Sequence, residues 1–128
     1  MKNFIYTLVD YIKRLDLDYP VNIGTFADEA SLIVKPIKGS EVLHEYMNGV
    51  IDVRLPFSIS IKSKNQKEAF AILTDVMDHM REMENFQNRE SKDYILFKVV
   101  VDQLPFFEEQ DDGYFYYHTK ITVDLTVT

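Results

Sequence analysis

At 128 residues the chain has the length of one domain, long enough to bury a core of its own. Hydrophobic residues make up 46% and charged residues 27%, a globular balance, and the formal net charge of -7 argues against wrapping nucleic acid, which rests on Lys and Arg neutralising phosphates. Cysteine is absent, which excludes disulfides and thiolate catalysis and leaves any zinc site to the scattered His44, His79 and His118 with carboxylates.

No apolar run approaches the roughly 20 residues that span a bilayer. The Met1-Lys2-Asn3 start leads into an amphipathic segment, not a signal peptide. A soluble, intracellular protein with no membrane partner and no sequence-specific nucleic-acid partner is expected, although a local basic patch is compatible with the charge.

In residues 3–16, Phe4, Ile5, Leu8, Val9, Ile12 and Leu15 recur at helical spacing, with Lys13, Arg14 and Asp16 on the polar side. The helix should stop before Pro20, whose ring pushes the preceding residue out of the helical region. Short strands are expected over 21–26 and 32–37, divided by Asp28-Glu29 and followed by a turn at Lys38-Gly39-Ser40. Asn48-Gly49 is a hairpin signal, because both residues tolerate positive φ. A two-residue loop would set Met47 opposite Val50. Tyr46, His44 and Val42 would then pair with Ile51, Val53 and Leu55 on the apolar face, making His44 a packed, hydrogen-bonded histidine. Glu45 would face Asp52 on the other side, a mildly unfavourable pair.

Val53, Leu55, Phe57, Ile59 and Ile61 alternate with Arg54, Ser58, Ser60 and Lys62, which marks a strand with one buried face. Pro56 must sit where the ladder needs no donor. Asn65-Gln66-Lys67-Glu68 resembles a capping box, with Asn65 accepting from the third helical amide and Glu68 reaching back. Beyond it Ala69, Ile72, Leu73, Val76, Met77, Met80 and Met83 share one stripe. Burying the larger side chains contributes roughly 1.5–3 kcal/mol each as an upper value. The competing reading of the methionine row is an adaptable binding surface.

Residues 84–93 read as a polar, mobile connection. Ile95, Phe97, Val99 and Val101 alternate with Tyr94, Leu96, Lys98, Val100 and Asp102 in a strand apolar enough to lie centrally, which Pro105 should end. The final segment puts Phe115, Tyr117, Ile121, Val123, Leu125 and Val127 on one face and Tyr114, Tyr116, His118, Lys120, Thr122, Asp124 and Thr126 on the other. A strand of that length must bend, bulge or project past the sheet. Asp112-Gly113 predicts a reversal that joins these last strands as an antiparallel pair. The fold class is α+β, a largely antiparallel sheet of about five strands with two helices packed on one face, in a single domain.

None of the four glycines begins a phosphate-binding loop, and there is no nucleophile elbow and no histidine pair at metal-ligand spacing. The residues therefore suggest no catalytic group, no cofactor and no metal. Glu108, Glu109, Asp111 and Asp112 lack the alternating oxygen donors of a calcium loop and read as a solvated turn. His118 and Asp124 share a strand face six positions apart, too far to touch. The segment carrying Phe106, Phe107, Asp111, Asp112, Tyr114, Tyr116 and His118 combines aromatics, acids and a reversal, features that suit a protein interface. The alternative is that its odd aromatics are core and its even ones cover a neighbouring strand.

One further pattern spans nearly the whole chain. Gly24, Ser31-Leu32-Ile33-Val34-Lys35-Pro36, Lys38-Gly39-Ser40 and Pro56-Phe57-Ser58-Ile59 lead to Lys62-Ser63-Lys64-Asn65-Gln66-Lys67-Glu68-Ala69. The close is Leu104-Pro105-Phe106-Phe107 and Asp112-Gly113-Tyr114-Phe115-Tyr116-Tyr117. The sequence resembles the minor capsid and tail terminator proteins of long-tailed bacteriophages. The resemblance implies a non-enzymatic virion subunit, made in the host cytoplasm, that forms a homo-oligomeric ring, commonly a hexamer, on the end of the tail tube. Its partners would be the tail-tube protein and the head connector protein. The sheet edges and a protruding hairpin over 106–117 would join the subunits. The nearest rival is another neck component on the portal side, and a small ligand-binding domain or enzyme is the alternative from a different class.

Overall fold

The computed structural model of the chain describes residues 3–83 and 94–127, so the polar stretch 84–93 lies outside the described residues. The elements run α1 (Asn3–Lys13), β1 (Val21–Ile23), β2 (Ser31–Pro36), β3 (Glu41–Glu45), β4 (Ile51–Ser63), α2 (Gln66–Asp78), a 3₁₀ turn (Met80–Glu82), β5 (Tyr94–Asp111) and β6 (Tyr114–Val127). The six strands form one sheet in the order β1-β2-β4-β6-β5, with β3 added to the end of β4. Among the described residues only β1 and β2 pair in parallel; the other pairings are antiparallel. The expected α+β class is what the chain adopts, with one strand more than the sequence suggests.

Both helices cover the same face. Phe4, Leu8 and Ile12 of α1 and Ala69, Leu73 and Val76 of α2 are fully buried against Leu32, Val34, Phe57, Ile59, Ile61, Ile121, Val123 and Leu125 from β2, β4 and β6. The Phe4 ring lies 5.6 Å from both Phe57 and Tyr94, tying the first helix to two strands. The Tyr11 hydroxyl donates to the carbonyl of His79 at 2.5 Å, so the first helix also holds the end of the second. α1 ends at Lys13, short of the expected limit, and Asp16 and Asp18 turn the chain away at φ 55 and 58. Aspartate is among the few L-residues that enter the left-handed region at modest cost.

Asn65 caps α2, its side chain accepting from the Glu68 amide at 3.0 Å. The second half of the expected capping box is made differently, because the Asn65 amide donates to Ser63 Oγ at 3.1 Å. Replacing Asn65 with Ala should lower the unfolding free energy by about 1 kcal/mol, seen as a lower urea midpoint at unchanged slope. The helix stops at Asp78 and tightens into the 3₁₀ turn, yet Met77, Met80 and Met83 remain buried. The methionine row is core and not a binding surface.

β6, and not β5, is central. It runs beside β4 from Ile51↔Val127 to Ser63↔Phe115 without a break in register, so it neither bends away nor projects past the sheet. The irregularity is carried by β5, an 18-residue edge strand with four register shifts against β6. The first shift, between Leu96 and Lys98, reverses the parity of the strand: Tyr94 and Leu96 face the core before it and Val99 after it, which leaves Ile95 and Phe97 exposed. Pro105 does not end the strand. It falls in the shift between Gln103 and Phe106, where no ladder donor is required. Pro56 is accommodated by a seam: β3 pairs β4 up to Arg54 and β2 from Phe57, and on that flank the Pro56 carbonyl accepts from the Ile37 amide at 3.2 Å.

The β3–β4 hairpin differs from expectation by one residue. The Tyr46 amide donates to Val50 at 2.8 Å and the Gly49 amide to Tyr46 at 3.1 Å, so the loop is Met47, Asn48 and Gly49. Gly49 takes φ 87, whereas Asn48 keeps a negative φ and uses its side chain to accept from the Val50 amide at 3.2 Å. The register becomes Glu45↔Ile51, His44↔Asp52 and Val42↔Val53, with a bulge at Leu43. The Glu45–Asp52 pairing does not form. His44 is exposed, not packed, and its ring lies edge-on to Tyr46 at 4.4 Å.

A candidate interaction surface

The face of the sheet away from the helices is laid out in rows by the ladder register. Asp52 accepts from Tyr46 and Thr126, and these two hydrogen bonds, Thr126 first, hold its carboxyl below the usual range. Arg54 grips Asp124 with two hydrogen bonds, at 2.8 and 3.1 Å, and reaches Glu41 at 3.5 Å. Asp124 is thus spent on Arg54, and His118 lies in a separate row with other partners.

His118 Nδ1 is 2.6 Å from Ser60 Oγ, and its Nε2 faces the Glu108 carboxylate. A neutral ring with its proton on Nε2 satisfies both, donating to Glu108 and accepting from Ser60. Burial pushes the imidazole down from its ordinary value and Lys35 acts in the same direction, while Glu108 and Glu109 oppose them. A serine, a histidine and a carboxylate in line invite a hydrolase reading. Ser60, however, is 0% exposed in the middle of β4, so its hydroxyl cannot meet a substrate in this arrangement. The trio ties the distal part of β5 to the sheet centre. Sequence spacing could not reveal it, since its members lie on three strands.

The candidate interface residues divide into two groups. Asp112 and Gly113, at φ 52 and 80, form a two-residue turn that pairs Asp111 with Tyr114, as the sequence predicts. Tyr114 and Tyr116 are packed within the chain. Lys62 and Lys64 lie 4.5 and 5.3 Å from the centre of the Tyr114 ring, and Phe26 meets Tyr116 edge-on at 5.4 Å. Lys62 holds the loop before β2 over this end of the sheet by donating to the carbonyls of Ala27 and Asp28. Burial, followed by Asp111, Glu109 and Asp112, pushes the Tyr116 hydroxyl up. Phe106 and Phe107, in contrast, are 43% and 47% exposed on the edge strand, beside His118 and Tyr117. Asp111 and Asp112 point into solvent. The hairpin over 106–117 therefore does not protrude; its β6 half is flanked by β4 as far as Phe115.

Two exposed surfaces escape the sequence reading. Every residue from 41 to 49 is exposed, which leaves Val42, Leu43, Tyr46 and Met47 without cover on β3 and its loop. On the far side of the sheet, Ile95, Phe97, Val100 and Leu104 are exposed along β5. Among the described residues, no strand pairs with the outer side of β3 or of β5. The sole advance signals were the adjacent Val42-Leu43 and the all-apolar stretch of β5, and neither shows which residue a bulge turns outward.

An apolar cavity of about 340 Å³ opens between α1 and the segment joining β2 to β3, lined by Ile5, Tyr6, Ile37, Leu55 and Phe57 among others. Apart from Ser40 and the Tyr6 hydroxyl its walls offer no side-chain polar group to orient a ligand. Among the described residues no group of three or more His, Cys, Asp or Glu could hold a metal ion, and no helix is long and apolar enough to cross a membrane.

These features define an α+β domain with one helix-covered face, one hydrogen-bonded polar face and apolar side chains along two opposite unpaired edges. Comparison with protein-family models and with curated proteins finds no match.

Proposed function

We propose that this chain is a virion structural subunit of a long-tailed bacteriophage, a tail terminator whose ring ends tail-tube polymerisation and joins the tail to the head connector. The observation that carries the reading is the pair of opposite edges. In the sheet section β3-β4-β6-β5, one flank exposes Val42 and Leu43 and the other exposes Ile95 and Phe97. Two different surfaces on opposite sides of one subunit suit a heterologous, head-to-tail contact, which closes into a ring when the rotation permits. The bulges at Leu43 and Phe97 interrupt continuous strand pairing, so side chains would make most of the junction. The resemblance of the sequence to tail terminators supplies the setting for such a ring, and its partners are then the tail-tube and head connector proteins.

The test is to add the purified protein to growing tail tubes and image the tube ends by electron microscopy. Tubes that stop and carry a ring-shaped cap are the expected result. Tubes that elongate unchanged and bear no cap would remove the terminator assignment, and binding confined to the portal side would move the chain to another place in the neck.

A further inference from the structure

Resting on the ring reading, we propose that each junction is held in register by one ion pair: Glu41 on the β3 edge of one copy meets Lys98 on the β5 edge of the next. The ladder lines up Lys98, Asp124, Arg54 and Glu41 in a single row across β5, β6, β4 and β3 on the open face. Along that row the charges alternate in sign. Arg54 takes both oxygens of Asp124 and reaches one oxygen of Glu41 at 3.5 Å. The two ends of the row are left open. Lys98 is exposed and makes no ion pair among the described residues, and the second Glu41 oxygen has no hydrogen-bond partner among them. Asp78, at the end of α2, borders the same hollow as Lys98, yet the two form no ion pair.

Level along the strands decides the pairing. β3 and β5 run in opposite directions, so a head-to-tail step lays them side by side as antiparallel neighbours. The apolar edges meet at the level of Leu125: Val42 is in register with Val53, Leu125 and Leu96, and the bulged Leu43 and Phe97 flank that level. The row of Asp124 is the next along β6, so the step that joins the apolar edges brings Glu41 beside Lys98 with no shift along the strands. A rotation about an axis along the strands keeps every row at its level, the condition for a ring that closes without rise. The other rows of this face end differently among the described residues. His44 lies across the sheet from Ile95, Ile33 from Phe106 and Ser31 from Glu109. The Lys35–Ser58–Lys120 row lies about 13 Å farther along β6 at 3.3 Å per residue, and it ends on the neutral Gln103. A cation at one edge and an anion at the other, on one level, is the complement of a second copy of this chain; a nucleic acid would meet the carboxylate and a net charge of -7. Charge pairs of this kind fix register and partner more than they add affinity.

The experiment is a charge reversal with rescue by mixing, read by sedimentation across protein concentration at low and high salt. Glu41→Lys alone, or Lys98→Glu alone, sets like charges together at every junction and should weaken self-association by about tenfold. In an equimolar mixture the two variants can alternate: the new cation at position 41 meets the new anion at position 98, and native Glu41 meets native Lys98. Association of the mixture should return nearly to that of the wild type. Lys35→Glu changes the net charge as Lys98→Glu does but lies in another row, and it should associate as the wild type does. Added salt should narrow the gap between wild type and each single variant, since it screens contacts between exposed charges. Far-UV circular dichroism keeps unfolded variants out of the comparison. A mixture as weak as its components, a reversal without effect, an equal loss in Lys35→Glu or a gap indifferent to salt would overturn the ion pair and leave the ring reading to tube capping. A wild type that stays monomeric at every concentration would also overturn it, with tube capping still deciding the ring reading. Rescue in an assembly that electron microscopy shows to be open and helical would support the ion pair and count against the ring.

Discussion

Replacing Phe4 with Ala is expected to cost roughly 3–5 kcal/mol of unfolding free energy, the range for removing a buried aromatic and leaving part of its space empty. Phe4 is 0% exposed, and its ring packs against Phe57 of β4 and Tyr94 of β5. Those strands are separated by β6, so this one side chain spans the width of the central sheet beneath α1. Neighbours pinned in a sheet relax poorly into a void, which places the loss toward the upper part of the range. Urea denaturation followed by tyrosine fluorescence measures it. Tyr6→Ala is the control: it lies in the same helix but is 60% exposed, and should stay within about 0.5 kcal/mol of the wild type. Equal losses at the two positions would mean that α1 does not dock as described.

The second large effect is expected at Ser60. Ser60→Ala removes the hydroxyl that His118 Nδ1 accepts from and should cost about 1–3 kcal/mol, the penalty for a buried polar atom left without its partner. The same network sets a pH dependence. Burial holds the folded-state value of His118 below that of a free imidazole. As pH falls, the unfolded chain takes up this proton first, so the stability present above about pH 6.5 is lost as the pH drops through the lower folded-state value. His118→Gln should flatten that part of the curve in urea titrations repeated between neutral pH and pH 5. A slope of opposite sign in the wild type would mean that Glu108 outweighs burial.

Periodicity carried the fold wherever a residue's environment follows from its near neighbours. The stripes of α1 and α2, the alternation of β4 and β6, the Asn65 cap and the Asp112-Gly113 turn are local matters of 3.6- and 2-residue spacing and of backbone preference. The environment of β5 escapes periodicity because it depends on bulges, and a bulge changes which side chains face inward without changing the composition. The apolar run from Tyr94 to Val101 therefore looked central, although β6 holds that position. The three-residue loop at Met47 arose from a competition that sequence does not decide, between a positive φ at Asn48 and a side-chain hydrogen bond to Val50. The surroundings of the candidate surface residues were half legible for a related reason. Phe106 and Phe107 are exposed, but Tyr114 and Tyr116 find partners in Phe26, Lys62 and Lys64, residues distant in the chain. The apolar edge of β3 became visible only once the sheet order put nothing beside it.

The head-to-tail junction between the two edges is the centre of the account, and it is tested most directly by native mass spectrometry of two edge variants, alone and mixed. Leu43→Asp spoils the β3 edge and Phe97→Asp spoils the β5 edge; both side chains are exposed, so the monomers should remain folded. Each variant keeps one sound edge, and in a heterologous junction the two sound edges match only across the mixture. Monomers in each separate sample and one-to-one dimers in the mixture are the predicted result. Dimers of either variant on its own would contradict it, because they would show an edge pairing with its own copy.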